Sequence, residues 1–266
     1  MLERFLSFII YGLSTAIGII AFIYPFWQPA LQQSQTHRND SPLLLTVLVT
    51  LCFVVILFEV QGQGINTKLI ALLGILVSIN SILRFMEVAI PIPGGFSPIF
   101  FLIILTGYVY GGRFGFLMGA LTLIVSALIT GGVGPWLPYQ MLTAGWVGLT
   151  ASSCRIVVKP FKKGGSQTEI IVLAIFGGLW GFIYGIIINM WFWSFATGIG
   201  EHDLQANIGF IDTLRRYALF YVATSLLWDF VRGIGNTFFI LFFGKATLSV
   251  LRRFQQRFDF SYISQS

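Results

Sequence analysis

PIPGGFSPIFFLIILTGYVYGGRFGFLMGALTLIVSALITGGVGPWLPYQMLTAGWVGLT occupies Pro91 to Thr150, and its reading decides the fold. Two apolar runs, 98–110 and 114–130, are separated only by Gly111-Gly112-Arg113, and a third begins at Pro138. Two helices joined this closely must pack as an antiparallel pair. The loops at the far end, Pro91–Ser97 and Gly131–Leu137, are built from glycine and proline. Glycine permits unusual backbone angles and proline fixes them, so such loops can be compact and rigid.

The rest of the chain extends this pattern. Of 266 residues, 56% are hydrophobic and 10% are charged, with mean hydropathy +0.84. A soluble domain carries about 25% charged residues. This chain cannot cover a water-facing surface and needs lipid as its solvent. The net charge of +6 is therefore read as membrane topology, not as a nucleic-acid footprint. Cys52 and Cys154 both lie in apolar segments, have no metal-ligand spacing and read as buried thiols.

A spanning helix needs about 20 largely apolar residues. Candidates run over Phe5–Phe26, Pro42–Phe58, Lys68–Ile90, Pro98–Tyr110, Phe114–Thr130, Pro138–Val158, Glu169–Phe195 and Tyr217–Phe243. Ser41-Pro42 and Ser97-Pro98 suit helix starts, with serine as cap and proline first inside. The expected fold is an all-α membrane protein of eight transmembrane helices. Eight spans place both termini on one side. Of the 16 basic residues, eleven then fall on the N-terminal side, three on the other, and Arg84 and Arg232 within spans. This is the bias expected when the termini are cytoplasmic. Residues 1–66 read as two additional N-terminal helices with a polar outer loop. Residues 67–266 read as a six-helix core with a cytoplasmic tail.

Chemistry is sparse. The chain lacks G-x-x-x-x-G-K-[ST], H-E-x-x-H and G-x-S-x-G, so neither ATP hydrolysis nor a known hydrolytic site is expected. Glu201-His202-Asp203 reads as a solvated loop, since three adjacent residues rarely converge on one ion. No cofactor or metal is expected.

The Gly107–Gly111–Gly112–Gly115 turn with Tyr108 and Tyr110, the segment T-G-G-V-G-P-W-L-P-Y-Q-M and Ala144-Gly145-Trp146 resemble the S components of energy-coupling-factor (ECF) transporters. The resemblance covers about Lys68 to Phe243. It implies a six-helix bundle that binds a vitamin or related micronutrient in a cavity open to the outside. It also implies partners: a transmembrane scaffold subunit and two cytoplasmic ATPases, in keeping with the missing phosphate loop. A likeness to S components assigned to corrinoids makes a cobalamin-like ligand one expectation. The two N-terminal helices depart from the common form. So does the first core helix, where the family often has two alanines four apart and this chain has Ala71, Gly74 and Ser78. Gly74 and Ser78 still form a small-xxx-small pair, which either docks on the scaffold or packs inside the bundle.

Charges inside a span are costly and face a cavity or a partner. Arg84 with Glu87, and Asp229 with Arg232, sit three apart and can meet on one helix face. Each pair either neutralises itself or meets the ligand. Asn189 and Asn236 bond another helix or the ligand. Trp136, Tyr139 and Gln140 stand at the expected outer mouth, and Trp191 and Trp193 belong to an interfacial belt or to the site. The expected substrate-binding set is Trp136, Gln140, Tyr139, Arg84, Glu87, Asn189 and Trp193, with Ala71, Gly74 and Ser78 for scaffold docking. A structural or regulatory membrane subunit and an intramembrane enzyme are the rival readings.

Overall fold

The computed structural model describes residues 67–90, 97–161, 167–193 and 210–258, most positions of a helix between 11 and 23, and three helical positions between 46 and 50. The loop from Pro91 to Phe96, most of the expected second helix, Cys52 and the Glu201-His202-Asp203 triplet lie outside the described residues. In chain order the helices are α1 (Thr67–Ala89), α2 (Ile99–Tyr110), α3 (Gly112–Thr130), α4 (Leu137–Ala151), α5 (Cys154–Val158), α6 (Gln167–Trp193), α7 (Phe210–Thr224) and α8 (Leu226–Phe258). Among the described residues there is no strand.

Five described segments are long and apolar enough to cross a membrane: α1, α3, α4 continued through α5, α6 and α8. The 12 residues of α2 extend about 18 Å at the α-helical rise, short of the hydrocarbon thickness of about 30 Å. It is the central helix instead. Eleven of its residues are buried, and α1, α3, α4, α6 and α8 all pack around it. Large apolar side chains cover the outside of the bundle, including Leu128, Ile156, Leu227 and Phe242. Water-soluble proteins do not present such a surface.

Two boundaries differ from expectation. The expected last span, Tyr217–Phe243, belongs to two helices that meet at Ser225, and α8 runs on to Phe258. The apolar run ends near Lys245, but Ala246 to Phe258 contains no glycine or proline. Hydropathy marks where lipid ends, and a helix can run past that point where no glycine or proline interrupts it. Arg215 and Arg216 accordingly sit on α7 and not in a loop. The expected span Pro138–Val158 is interrupted at Ser152 and Ser153, whose hydroxyls donate to the carbonyls of Leu149 (2.9 Å) and Thr150 (2.5 Å). Such back-bonds compete with the helical ladder.

The expected antiparallel hairpin is present, and its turn hinges on Gly111. That residue has φ 106°, in the region glycine favours, and its N–H donates to the Gly107 carbonyl. At the other end Gly131 closes α3 in the left-handed conformation at φ 68°. Between these ends the backbones of α2, α3 and α4 touch. A Cβ on Gly148 would lie 2.0 Å from the Gly115 carbonyl oxygen, and one on Gly107 would lie 2.2 Å from that of Gly148. Small residues at a crossing permit this approach.

The N-terminal helix packs on α3 and α4. The Tyr11 ring meets Phe116 edge-on at 5.5 Å near the Gly111 turn, and the Phe22 ring meets Tyr139 at 5.0 Å near the other end. Between them Gly18 lies against Trp146 and Leu142.

A charged group gathered around Tyr184 as the candidate functional site

The end of the bundle with the Gly111 turn carries most of the basic residues and is termed the basic end. Toward the opposite end, α1, α6 and α8 each contribute one part of a polar group set in apolar surroundings. From α1, Arg84 Nη1 donates to Glu87 Oε1 at 2.5 Å. Ser97, just before α2, donates to Glu87 Oε2 at 2.8 Å. From α8, Arg232 pairs with Asp229, which is 2% exposed. Neither pair stands alone. The Arg232 guanidinium lies over the Tyr184 ring at 5.3 Å and donates to the Gly181 carbonyl at 3.4 Å. Tyr184 stands edge-on to Phe100 at 4.7 Å. The start of α2 links the two pairs, since Ser97 binds Glu87 and Phe100 packs on Tyr184.

The local sequence explains how two helices carry this cluster. A Cβ on Gly185 would fall 1.6 Å from Asp229 Oδ2, so only glycine leaves room for the carboxylate between α6 and α8. Gly181 brings α6 equally close, since a Cβ there would lie 2.4 Å from the Gly233 Cα. Asp229 Oδ2 and the Tyr221 hydroxyl are both buried and face each other, the hydroxyl being the donor of the two.

The other expected residues fall elsewhere. Trp136 is 40% exposed, lies over Gly134 and donates Nε1 to the Gly132 carbonyl at 3.2 Å. Gln140 is half-buried in the first turn of α4. Among the described residues, no hydrogen bond, ion pair or ring contact joins either to the charged group. Tyr139 is buried between Phe22 and Trp191, and Trp193 is buried against Tyr217 and Phe220. Asn189 donates to the Gly185 carbonyl and accepts from Ser225 Oγ, both at 2.8 Å, so it ties α6 to the α7–α8 junction. Asn236 donates to the Gly177 carbonyl at 3.1 Å and likewise joins α8 to α6.

Comparison with known families matches residues 68–243 to the family described as ECF transporter, substrate-specific component. The chain belongs to this family. No curated protein and no solved structure matches it.

In this substrate-specific component the core covered by the family match is the bundle around α2, and the N-terminal helix lies outside it. Ala71, Gly74 and Ser78 all lie on the exposed face of α1. Among the described residues nothing lies within 4 Å of a Cβ placed on Gly74, and Ser78 Oγ donates to the Gly74 carbonyl at 2.9 Å. The small pair therefore faces away from the bundle, not into it.

The basic end holds a second polar group that sequence reasoning missed. Glu169, fully buried, pairs with Arg252 of α8 and accepts from the Tyr108 hydroxyl at 2.6 Å. Arg155 donates to the carbonyls of Tyr108 (2.5 Å) and Val109 (2.6 Å), and Tyr110 donates to the Leu251 carbonyl at 2.7 Å. The Arg155 bonds satisfy carbonyls that α2, ending inside the bundle, leaves open. The signal was a lone Glu at a helix start among basic residues. Glu169→Gln is expected to destabilise the protein by about 1.5–3 kcal/mol, the worth of a charged hydrogen bond. Thermal unfolding of the purified variant in detergent checks it, and an unchanged midpoint would show the pair to be dispensable.

Proposed function

We propose that this substrate-specific component captures a vitamin-class micronutrient from outside the cell. It then delivers it with a transmembrane scaffold and two cytoplasmic ATPases. The ligand anchors on the group formed by Arg84, Glu87, Tyr184, Asp229 and Arg232. One observation carries this reading: two ion pairs on different helices are linked through the start of α2 and Tyr184 inside an otherwise apolar bundle. A protein that needed only to neutralise its charges would gain nothing by gathering them. Burying ion pairs is at best neutral for stability against apolar replacements, so such groups in a membrane point to a task. The distribution of Lys and Arg supports a cytoplasmic basic end with both termini on that side, which turns the charged group outward. Trp136 and Gln140 stand at the same end, and Asn189 braces α6 against the junction that leads to Asp229.

The test is to identify solutes released from the purified protein by mass spectrometry and to titrate the recovered solute back by calorimetry. Glu87→Gln and Arg232→Met are expected to weaken binding at least tenfold, or about 1.4 kcal/mol. Trp136→Ala is expected to weaken it less. A folded protein that yields no solute would instead favour a structural or regulatory subunit. A recovered corrinoid would bear out the cobalamin-like expectation.

The exposed small-residue patch of α1 supports scaffold docking through Ala71, Gly74 and Ser78. Gly74→Leu is expected to weaken co-purification with the scaffold while solute binding stays within twofold, about 0.4 kcal/mol. Loss of solute binding with intact assembly would assign the patch another role.

A further inference from the structure

α1 and α8 both lean on α2 but barely touch each other. Between them lies a cavity of about 420 Å³, within the range of ordinary small-molecule sites, about 300–1,000 Å³. Its walls are mostly apolar, among them Leu83, Met86, Phe101 and Phe243, with Thr247 as a polar member and Glu87 as its charged one. We infer that this cleft is the apolar half of the ligand site, and that the captured solute is a compact amphipathic molecule whose N–H or O–H donor meets the Glu87 carboxylate. The inference rests on the capture reading and narrows its substrate class.

Glu87 belongs both to the charged group and to the wall of the cleft. Arg84 holds one carboxylate oxygen and Ser97 the other, so the group is fixed in orientation. An ionised carboxylate has about four lone-pair sites. Two remain for another donor, and a carboxylate can only accept. The matching ligand group must therefore donate. Apart from Thr247, the remaining wall is apolar and rewards contact with rings or aliphatic carbon. The volume suits one or two fused rings. A lipid acyl chain would fit the apolar wall but would make no use of Glu87, and an anionic headgroup would be repelled by it.

The experiment compares solutes extracted from the full-length protein and from three variants, quantified by mass spectrometry per mole of protein. Met86 and Phe243 line the cleft and are 49% and 51% exposed, so enlarging both leaves the buried core untouched. Met86→Trp/Phe243→Trp is expected to lower solute occupancy at least tenfold. Ile82→Trp, on the exposed face of α1 away from the cleft, controls for added bulk and is expected to leave it unchanged. Glu87→Gln is expected to lower occupancy of the same solute. A small amphipathic donor lost from the cleft-filled variant supports the inference. A solute lost with Glu87→Gln but retained in the cleft-filled variant overturns the inference and leaves capture standing. Recovery of a corrinoid, an acceptor-only solute or lipid acyl chains alone also overturns it. Recovery of no solute from any sample overturns both readings.

Discussion

Gly148→Leu is expected to prevent assembly of the bundle. A Cβ at position 148 would lie 2.0 Å from the Gly115 carbonyl oxygen, 2.2 Å from its carbon and 2.7 Å from its Cα. The same crossing holds Gly107 and Gly115, where a Cβ would lie 2.2 Å and 2.3 Å from the Gly148 carbonyl oxygen. In an ordinary core an inserted methylene costs about 1–3 kcal/mol because neighbouring side chains yield. Here the obstacles are main-chain atoms, so relief requires the helices to separate. That separation would open the contact surface of α2, around which the core helices pack. The expected loss is comparable to the whole stability of a domain, about 5–15 kcal/mol. Gly74→Leu serves as the control, because no described residue lies within 4 Å of a Cβ there. Size-exclusion chromatography and thermal unfolding in detergent should show a monodisperse, melting control and an aggregated or unfolded Gly148→Leu. A Gly148→Leu protein that melts close to the unaltered one would show that the three backbones do not approach this closely.

The second large effect concerns Asp229. Asp229→Ala removes the partner of Arg232, whose side chain is 17% exposed. Removing one member of a buried pair costs about 3–5 kcal/mol because the remaining charge is left uncompensated. The stacking of Arg232 on Tyr184 offsets part of this. Replacing both residues, Asp229→Ala with Arg232→Met, is expected to recover most of the stability while abolishing solute binding. A double-mutant cycle read by thermal unfolding and by calorimetry separates the two roles. If the double variant bound solute as the unaltered protein does, the cluster would be structural only.

Much of the fold is legible in the chain itself. The Gly111-Gly112-Arg113 joint predicts the α2–α3 hairpin, and the apolar runs locate α1, α3, α6 and the α4–α5 segment taken together to within a few residues. The candidate site is legible only in part. Arg84–Glu87 and Asp229–Arg232 are predicted as pairs because an i,i+3 spacing is local to one helix. Tyr184 is not, since an aromatic between Ile183 and Gly185 looks like any lipid-facing ring. Glu169 reads as the first residue of a span, because nothing near it in sequence foretells Arg252 or Tyr108. Trp136 draws attention by standing in a rigid loop, yet its indole turns back onto that loop at Gly132 and Gly134.

The division has a physical cause. The sequence by itself determined the features that solvent and short-range geometry dictate: a chain too apolar for water, helices where apolar runs are long, a turn where glycine permits positive φ, and ion pairs one helical turn apart. Only the tertiary structure decided which helix became the centre and which charges became neighbours. Those outcomes depend on how closely backbones approach, at Gly148 against Gly115 and at Gly185 against Asp229. A glycine shows in the sequence that close approach is permitted; the partner that makes the approach lies tens of residues away, and only packing selects it.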